Sequence, residues 1–593
     1  MSISSSSFDS CELYTKNFIA IQKKNKRLAE LIDSKKEESF FFFDSKNQEL
    51  DANDRLKDFD YHSQFLVVIG LAPYYHLNNI VEQYENNIFV FEPSPSILKQ
   101  KMFEHDFTKI LSKENVQISS SIRELVIFLS MNFSGYEDGQ IYTLGSYYII
   151  EPAILDLAGV VISDQIQLSC VINNTLRKKS DTWIPFFFEN MKYFQKYHSS
   201  RTLDNIFKNE NRTCVIVGAS PSVDKAIELL QPIKDNVDWF ACDVSTEILK
   251  AVDIQPSAIF SLESNEFSCF RIDRTLSENS VMFLGDIANT KAYNIKSLDK
   301  YVIYQDGSGM NNDFCKVNSL GQTPVGSTVL SVAFCVALYM GYKNIIIIGS
   351  DFCYSDDKRY SQLTAFPDKE NYRKCLIESG TYYKKEIFDS DFQNYSEVID
   401  VFGKKQFTFP AYLLSRKWIG ITALNHRDTL FYNITKGLPI VGFNNLILSD
   451  KKDISLESLF LKIEPSKKTF FERTKEIPKP NIDLLKICDN YKQDMYYKLM
   501  LIYNISSVIL NHKVSTKMIK LFSKANDLLQ LIIDDDSLLT IYFKKEIETM
   551  NAERYIGMKE KDKEKKINRA NNYSKQFSFI SDKALILMKQ LEK

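Results

Sequence analysis

The sequence carries almost no net charge, because 74 Lys and Arg residues are balanced by 76 Asp and Glu residues in a chain of 593. Binding to nucleic acid or to an anionic membrane surface through the overall field of a protein requires an excess of positive charge. We therefore expect no nucleic acid and no membrane among its partners.

Long apolar runs are also missing. Residues 1–18 do not combine a basic start with the apolar segment of a secretory signal. No stretch of the sequence reaches the roughly 20 apolar residues that cross a bilayer. The sequence therefore predicts a cytoplasmic protein.

Cysteine and histidine form no recognisable metal or disulfide pattern. None of the ten cysteines belongs to a Cys-x-x-Cys pair, and Cys214, Cys242 and Cys335 lie in apolar segments, where cysteine acts as a small buried residue. This usage suits a reducing compartment better than a disulfide framework. The six histidines do not have zinc-ligand spacing. The acidic run Asp534 to Asp536 is interpreted as a solvated turn, so no metal-binding residue is predicted.

One apolar run breaks into small residues at Gly218. Residues 214–222 read CVIVGASPS, which predicts a strand, a tight turn and a helix capped by Ser220 with Pro221 in its first position. A helix N-terminus offers N–H groups and a partial positive charge to an anion. The turn lacks the glycine pattern of a dinucleotide site and the Lys of a phosphate loop. An ordinary strand-to-helix turn is therefore the alternative.

Four later apolar strands each end in a carboxylate. The strands are apolar on both faces, which is typical of parallel strands buried between helices. Ligands of such sheets bind at the carboxyl ends of the strands, so the four acids predict a polar pocket that holds sugar hydroxyls, a metal or a proton from an acceptor. The acids are Asp243, Glu263, Asp286 and Asp351.

A second helix N-terminus is expected at the same edge. The segment from Pro324 to Thr328 precedes an apolar helix that runs through Met340 and ends at Gly341. At about 13 residues the helix is too short to span a bilayer, and its apolar side chains are expected in the core. The remaining candidates for ligand contact are Gly326, Ser327 and Thr328.

The length exceeds one ordinary domain, and about three to four domains are expected. We predict an α/β protein with a central Rossmann-like parallel-sheet domain, a smaller α/β amino-terminal domain and an all-helical carboxy-terminal domain. The predicted segments are a helical extension (1–60), the amino-terminal domain (61–165), a helical connector (166–205), the central domain (206–450) and the helical carboxy-terminal domain (451–593).

The amino-terminal domain has part of a nucleotide-binding pattern. Gly70 and Glu92 have the spacing of a nucleotide-binding half. However, Ala72 and Pro73 replace the glycines that would let a pyrophosphate approach. We interpret this domain as a structural one rather than as a second active site.

Several motifs together resemble the motility-associated factor family of flagellin glycosyltransferases. They are GASPSVDKAIELL (218–230), ACDVSTEILKAVDIQPSAIFSLE (241–263), PVGSTVLSVAFCVALYMGYKNIIIIGSDFCY (324–354), and NITKG (433–437) before VGF (441–443). The resemblance covers most of the chain, with its central part at about 206–445. The same central domain is also named after an archaeal pterin diphosphokinase. Gly218 to Ser222 and Gly349 to Phe352 are further similar to motifs of bacterial sialyltransferases that use CMP-sialic acid.

The resemblance implies a bacterial protein O-glycosyltransferase that supports flagellar assembly and motility. The enzyme would transfer a nonulosonic acid of the pseudaminic or legionaminic type from a CMP-activated donor to Ser or Thr of flagellin. Asp351 and Glu263 are the candidates for the catalytic base or for orienting the donor sugar, with Asp243 nearer the ribose or cytosine. The candidate nucleotide- or donor-binding residues are Gly218, Ala219, Ser220, Pro221, Ser222, Asp243, Gly326, Ser327, Thr328, Gly349, Tyr354, Asn433 and Gly437.

The sequence departs from these families at three points. Ala219 replaces an Asn of the sialyltransferase turn, so that side-chain contact to the nucleotide is lost. No histidine lies between His198 and His426, which leaves His426 as an unsupported candidate for the sialyltransferase base. A single Gly437 stands where the motility family commonly has two glycines.

Two other functions remain open. One is diphosphoryl transfer to a pterin, which would require ATP and Mg²⁺ held by the strand-end acids; for the glycosyltransferase, no obligatory metal is predicted. The other is a non-catalytic flagellin-binding or export chaperone that works through its helical tail. The apolar faces of that tail could contact flagellin or a second copy in a homo-oligomer.

Overall fold

The computed structural model describes residues 5–35, 56, 59, 61, 63–70, 74–132, 139–143, 152–275, 278–306, 314–315, 320–355, 360–364, 396–448, 463, 469–477, 484–511, 518–535, 537–543, 545–547, 549–551 and 563–592. The chain divides into two compact units, Met1–Asn174 and Thr175–Lys593.

The first unit is a small α/β unit built on four parallel strands. Its helices are α1 (Ser5–Lys24), α2 (Lys26–Asp33), α3 (Tyr74–Gln83), α4 (Pro95–Glu104), α5 (Thr108–Ser112) and α6 (Ile122–Asn132). Its strands are β1 (Phe65–Ile69), β2 (Asn87–Phe91), β3 (Val116–Ser119) and β4 (Gly139–Thr143). The strand order is β3-β2-β1-β4, and all neighbouring pairs are parallel.

Two residues at the strand ends of this unit have local structural partners. Gly70 follows β1 with φ +92°, and its N–H donates to the carbonyl of Phe91 at 2.9 Å. Glu92 is fully buried, and its carboxylate accepts the N–H of Ser94, the capping residue of α4, at 2.9 Å. The Glu92 carboxylate therefore organises the start of a helix, which fits a structural role for this unit.

The second unit contains a sheet of nine strands. The helix α7 (Pro152–Phe194) ends in this unit. The strands of the sheet are β5 (His198–Ser199), β6 (Thr213–Val217), β7 (Asp238–Cys242), β8 (Ala258–Ser261), β9 (Val281–Gly285), β10 (Asp299–Ile303), β13 (Asn344–Ile348), β16 (Leu430–Thr435) and β17 (Asn444–Ile447). Two short pairs lie beside it, parallel β11 (Gln305–Asp306) with β12 (Thr323–Pro324) and antiparallel β14 (Ser396–Ile399) with β15 (Lys405–Thr408).

The nine strands are parallel and lie in the order β17-β16-β13-β6-β7-β8-β9-β10-β5. From β6 the chain builds outwards through β7 to β10, and it then returns to place β13 on the other side of β6. The strand order therefore reverses between β6 and β13. In doubly wound sheets this reversal is where ligands bind, outside the carboxyl ends of the strands.

Helices cover the sheet and complete the core. Those between the strands are α8 (Val223–Leu230), α9 (Ser245–Ala251), α10 (Glu266–Thr275), α11 (Val329–Met340) and α12 (Pro410–Leu424). The buried side chains of α11 pack in one apolar cluster with strand residues such as Cys214, Phe240 and Ile347. The five central strands from β6 to β9 and β13 are buried along their whole length, as a parallel sheet between helices requires. The predicted fold class is confirmed.

The described residues beyond 450 form helices. These are α13 (Phe470–Lys475), α14 (Leu484–Leu510), α15 (Met518–Asp534), α16 (Ser537–Tyr542) and α17 (Lys563–Leu591). Phe470 of α13 packs in the core of the nine-stranded sheet beside Phe207 and Phe240. On α7, Phe188 stacks on Tyr491 of α14. None of the helices described is long and apolar enough to cross a membrane.

Candidate functional site

The loops after β6 and β13 meet at Gly218 and Gly349, where the strand order reverses. A Cβ atom on Gly218 would lie 2.2 Å from the carbonyl oxygen of Gly349. Gly349 itself has φ +64°, and a Cβ there would lie 2.7 Å from the carbonyl oxygen of Gly218. Both positions therefore require glycine, for close backbone approach and, at Gly349, also for its backbone conformation.

The N–H groups of the predicted phosphate turn already have partners in the β13 loop. Gly218 donates to the carbonyl of Ile348 at 2.8 Å, and Ser220 donates to that of Gly349 at 2.9 Å. The N–H of Ser222 donates to the Asp351 carboxylate at 3.2 Å. The side chains of Ala219 and Pro221 are half-buried in the same turn. These bonds hold the turn against β13.

The helix after this turn begins later than the sequence indicates. Ser220 to Ser222 form a turn, in which Val223 N–H donates to the carbonyl of Ser220 at 3.0 Å, and α8 starts at Val223 without a side-chain cap. The expected cap at Ser220 is thus wrong. The carboxylate of Asp351 takes the N–H of Ser222 instead, because the sheet brings β13 next to β6.

Asp351 joins three loops at the carboxyl edge. Its side chain is fully buried. One carboxylate oxygen accepts the N–H of Ser222, and the other accepts the hydroxyl of Thr435 at 2.8 Å and the N–H of Lys436 at 3.2 Å. The Asp351 carbonyl accepts the N–H of Leu438 at 2.8 Å. A carboxylate that is enclosed and bonded in this way positions the loops around it.

The loop after β16 fits closely over Asp351. A Cβ on Gly437 would lie 2.1 Å from the Asp351 carbonyl oxygen, so this position also requires glycine. Thr435 binds both the Asp351 carboxylate and the N–H of Gly437. Thr435 is not among the site residues predicted from the sequence. Its place at the end of an apolar strand and before Gly437 is the only local signal for it.

The predicted helix before β13 is confirmed. It begins after Thr328, whose side chain forms a reciprocal capping box with Ser331, and it ends at Gly341 with φ +87°. Since α11 ends just before β13 begins, its N-terminus lies at the carboxyl edge of the sheet. Ser327 is exposed and has φ +70°, a conformation that is strained for serine and is often found at functional sites.

Helix α12 packs against the turn before α11. Gly326 leaves no space for a side chain, because a Cβ there would lie 2.4 Å from the Trp418 ring. The hydroxyl groups of Thr328 and Ser415 lie 2.8 Å apart. Gly326 and Thr328 therefore serve this packing, and Ser327 is the residue of the three that faces outwards.

The predicted acids at β7 and β8 are separate from Asp351. Asp243 is largely buried and accepts the N–H of Val244 at 2.8 Å, whereas Glu263 is exposed and accepts a hydrogen bond from Asn265 at 3.0 Å. Since β8 is the third strand from β13, Glu263 and Asp351 are roughly 14 Å apart along the sheet. The two carboxylates are not brought together at one reacting bond.

The remaining predicted residues lie near the same loops. Tyr354 is buried, and its N–H donates to the carbonyl of Phe407 in β15 at 2.8 Å. Asn433 lies within β16, fully buried; its amide donates to Asn445 at 3.0 Å, and its carbonyl oxygen has no hydrogen-bond partner among the described residues. Asp286, after β9, is buried and accepts from Gln305 at 3.1 Å.

His426 lies at the opposite edge of the sheet. It lies between the end of α12 and the start of β16. The first residue of β16, Leu430, donates its N–H to the carbonyl of Lys343, which directly precedes β13. The His426 ring bonds the carbonyl of Thr422 at 2.8 Å. This position gives His426 no access to the carboxyl edge.

Two further side chains define the electrostatics beside Asp351. Burial and the Asp351 charge raise the pKa of the Cys353 thiol to about 12, so this thiol stays protonated at neutral pH. Burial lowers the pKa of Arg416, which the sequence analysis missed. Across the described residues, no three His, Cys, Asp or Glu side chains are grouped as a metal site would need.

These features define a doubly wound, Rossmann-like protein with a polar site where the strand order reverses. A model of the family described as 6-hydroxymethylpterin diphosphokinase MptE-like matches residues 186–357. The solved structure of the MAf glycosyltransferase from Magnetospirillum magneticum AMB-1 is similar to 98% of this chain and 96% of its own, with a TM-score of 0.63 and 14% identity. No curated protein matches significantly. The resemblance to motility-associated glycosyltransferases is thus confirmed for the fold.

Proposed function

We propose that this protein is a glycosyltransferase that transfers a nonulosonic acid, of the pseudaminic or legionaminic type, from a CMP-activated donor to Ser or Thr of flagellin. The observation that carries the proposal is the similarity to a glycosyltransferase fold over nearly the whole chain, including the helical tail. The motifs of the motility-associated family support the donor and the acceptor. The cysteine usage supports a reaction in the cytoplasm.

The reaction has three requirements. The site must hold the phosphate of the leaving CMP, stabilise an oxocarbenium-like sugar and accept the proton of the acceptor hydroxyl. Because the N–H groups of Gly218, Ser220 and Ser222 bond to the end of β13 and the loop after it, that turn shapes the site more than it binds the phosphate. Ser327 is exposed in a strained turn at the N-terminus of α11, which suits contact with the donor.

The two acids then take different roles. Asp351 is enclosed by Ser222, Thr435 and Lys436, so we assign it to positioning the three loops around the donor. Glu263 is the exposed carboxylate at the same edge, and we assign it to the proton of the acceptor or to orienting the donor sugar. Asp243, two strands from β13, is assigned to the ribose or cytosine.

The acceptor is a protein and needs an additional surface. Three apolar side chains on α15, Leu521, Leu528 and Leu531, recur at a spacing that places them on one face of a helix. Leu528 and Leu531 are 55% and 72% exposed. We propose this face for flagellin, by helix packing; a second copy of the chain is the other occupant considered.

Intact-mass analysis of flagellin tests the proposal. Flagellin is co-expressed with this protein and with enzymes that make a CMP-nonulosonic acid. We expect its mass to rise by whole nonulosonic acid residues only when both are present. An unchanged flagellin mass, with the donor detected in the same cells and the protein folded, would contradict the proposal.

Pterin diphosphokinase activity is the second candidate, because the matched family model bears that name. It predicts ATP- and Mg²⁺-dependent formation of a pterin diphosphate by the purified protein. Diphosphate formation without any change in flagellin mass would favour this function over glycosyl transfer.

A further inference from the structure

Arg416 lies on α12 between the segments that form the site. On the same helix, Ser415 bonds Thr328 and Trp418 covers Gly326, so this part of α12 contacts the turn before α11. The Nη1 group of Arg416 donates to the carbonyl of Pro439 at 3.0 Å. The α12 helix therefore holds Arg416 at the loop after β16, at the carboxyl edge of the sheet.

The guanidinium group also lies beside the loop after β13. Its charge offsets part of the rise in the pKa of the Cys353 thiol that burial and the Asp351 charge cause. Leu438, the neighbour of Pro439, bonds the carbonyl of Asp351. Arg416 therefore stands where the loops that Asp351 joins meet.

Four other buried or half-buried arginines of this unit pair with a carboxylate. Those pairs are Arg201 with Asp204, Arg212 with Asp238, Arg271 with Glu247, and Arg473 with Glu210. Arg416 has no ion pair within the part of the chain that the structure describes, and its Nε is buried without a hydrogen-bond partner. A guanidinium charge that is half-buried without a carboxylate partner is stabilised when an anion binds beside it.

The bond to Pro439 leaves one terminal group of the guanidinium available. Nη1 is occupied and Nε is buried, whereas Nη2 is neither buried nor hydrogen-bonded to a described residue. The side chain is half-buried, so a ligand oxygen that approaches from solvent meets Nη2–H.

We propose that Arg416 is the anion-binding residue of this site and takes a carboxylate or phosphate oxygen of the ligand through Nη2–H. The proposal rests on the proposed function only for the identity of the anion: the phosphate of CMP or the carboxylate of the nonulosonic acid. It accounts for how an anion is held although the N–H groups of Gly218, Ser220 and Ser222 already bond to β13 and the loop after it.

Calorimetric titration of the full chain and of Arg416→Gln tests this. The probes are inorganic phosphate, cytidine, CMP, N-acetylneuraminic acid and CMP-N-acetylneuraminic acid. Arg427→Gln is the matched control, because Arg427 is exposed beyond the other end of α12. Loss of one charged hydrogen-bonded contact predicts affinity weaker by about 10-fold or more, with cytidine binding and the control variant unchanged.

The probes distinguish the two anions. Weaker binding of phosphate and CMP would assign Arg416 to the phosphate. Weaker binding of N-acetylneuraminic acid, with CMP unchanged, would assign it to the carboxylate. These simple anions test Arg416 even if no transfer to flagellin is found, so failure of the proposed function is separable.

The thermal midpoint separates ligand binding from a structural role. Arg416→Gln loses the bond to Pro439 but also removes a half-buried charge that has no ion pair among the described residues, so the Tm of the free protein should change little. A lower Tm with unchanged affinity for every anion would overturn the proposal. So would the absence of anion binding by the unaltered chain.

Discussion

Replacing Asp351 by Asn tests whether this residue positions the loops or performs chemistry. Asn keeps the shape of the side chain but has one acceptor oxygen and a donor NH₂ group. If the oxygen stays with Thr435 and Lys436, the NH₂ group faces the N–H of Ser222, and two buried donors oppose each other. If the amide turns over, the bond from the Lys436 N–H is lost and the Thr435 hydroxyl has to accept from the NH₂ group instead of donating.

The magnitude follows from these contacts. A hydrogen bond to a charged group contributes about 1.5–3 kcal/mol, and an unsatisfied buried donor adds to the loss. We therefore expect Asp351→Asn to destabilise the second unit by roughly 2–4 kcal/mol. At roughly 2 °C per kcal/mol for a large domain, the Tm should fall by roughly 4–8 °C.

The assay is thermal unfolding measured together with transfer to flagellin. Thr435→Val is the matched variant, because it removes a hydroxyl that donates to the same carboxylate and accepts the Gly437 N–H; it should cost roughly 2–4 kcal/mol. The double variant Asp351→Asn, Thr435→Val should lose less stability than the sum of the two single variants, since the two residues share a hydrogen bond. An unchanged Tm in Asp351→Asn with transfer reduced about 100-fold would refute the positioning role and restore Asp351 as a catalytic acid or base.

Three further substitutions probe the rest of the site. Gly218→Ala should lower the Tm and weaken binding of CMP in calorimetry, because a Cβ would lie 2.2 Å from the Gly349 carbonyl oxygen. Gly159→Ala is the control; no atom lies within 4 Å of a Cβ there, so its Tm and its CMP binding should be unchanged. Glu263→Gln should reduce transfer to flagellin by about 100-fold without lowering the Tm, since Glu263 is exposed. Leu528→Glu with Leu531→Glu should abolish flagellin pull-down while donor binding is kept, because the two side chains are largely exposed.

Each substitution has an outcome that contradicts its reasoning. A Gly218→Ala protein with the unaltered Tm would show that the two loops can separate freely. Normal turnover by folded Glu263→Gln would remove Glu263 from the chemistry. If the α15 variant still pulls down flagellin but changes from dimer to monomer in light scattering, the α15 face joins two copies of the chain. The control is Val160→Glu, at an exposed position on α7.

Some elements could be predicted from the sequence because their signals are local. The helix α11 has a cap at Thr328 and a glycine at its end, and both act within one turn of the helix. The strands of the sheet could be recognised because burial on both faces demands continuous apolar runs. Gly218 and Gly349 stood out for the same reason, as breaks in such runs.

The tertiary structure alone decided how the acids and the cation are used. Asp351 accepts hydrogen bonds from residues 84, 85 and 129 positions away, so no local pattern distinguishes it from Glu263, which also follows an apolar strand. Arg416 stands out because none of the described carboxylates pairs with it, and that depends on the elements around it. The sequence by itself determined the strands, caps and turns, because these depend on neighbouring residues. The strand order decided which charges are enclosed, paired or left available, because only folding brings distant loops within hydrogen-bonding distance.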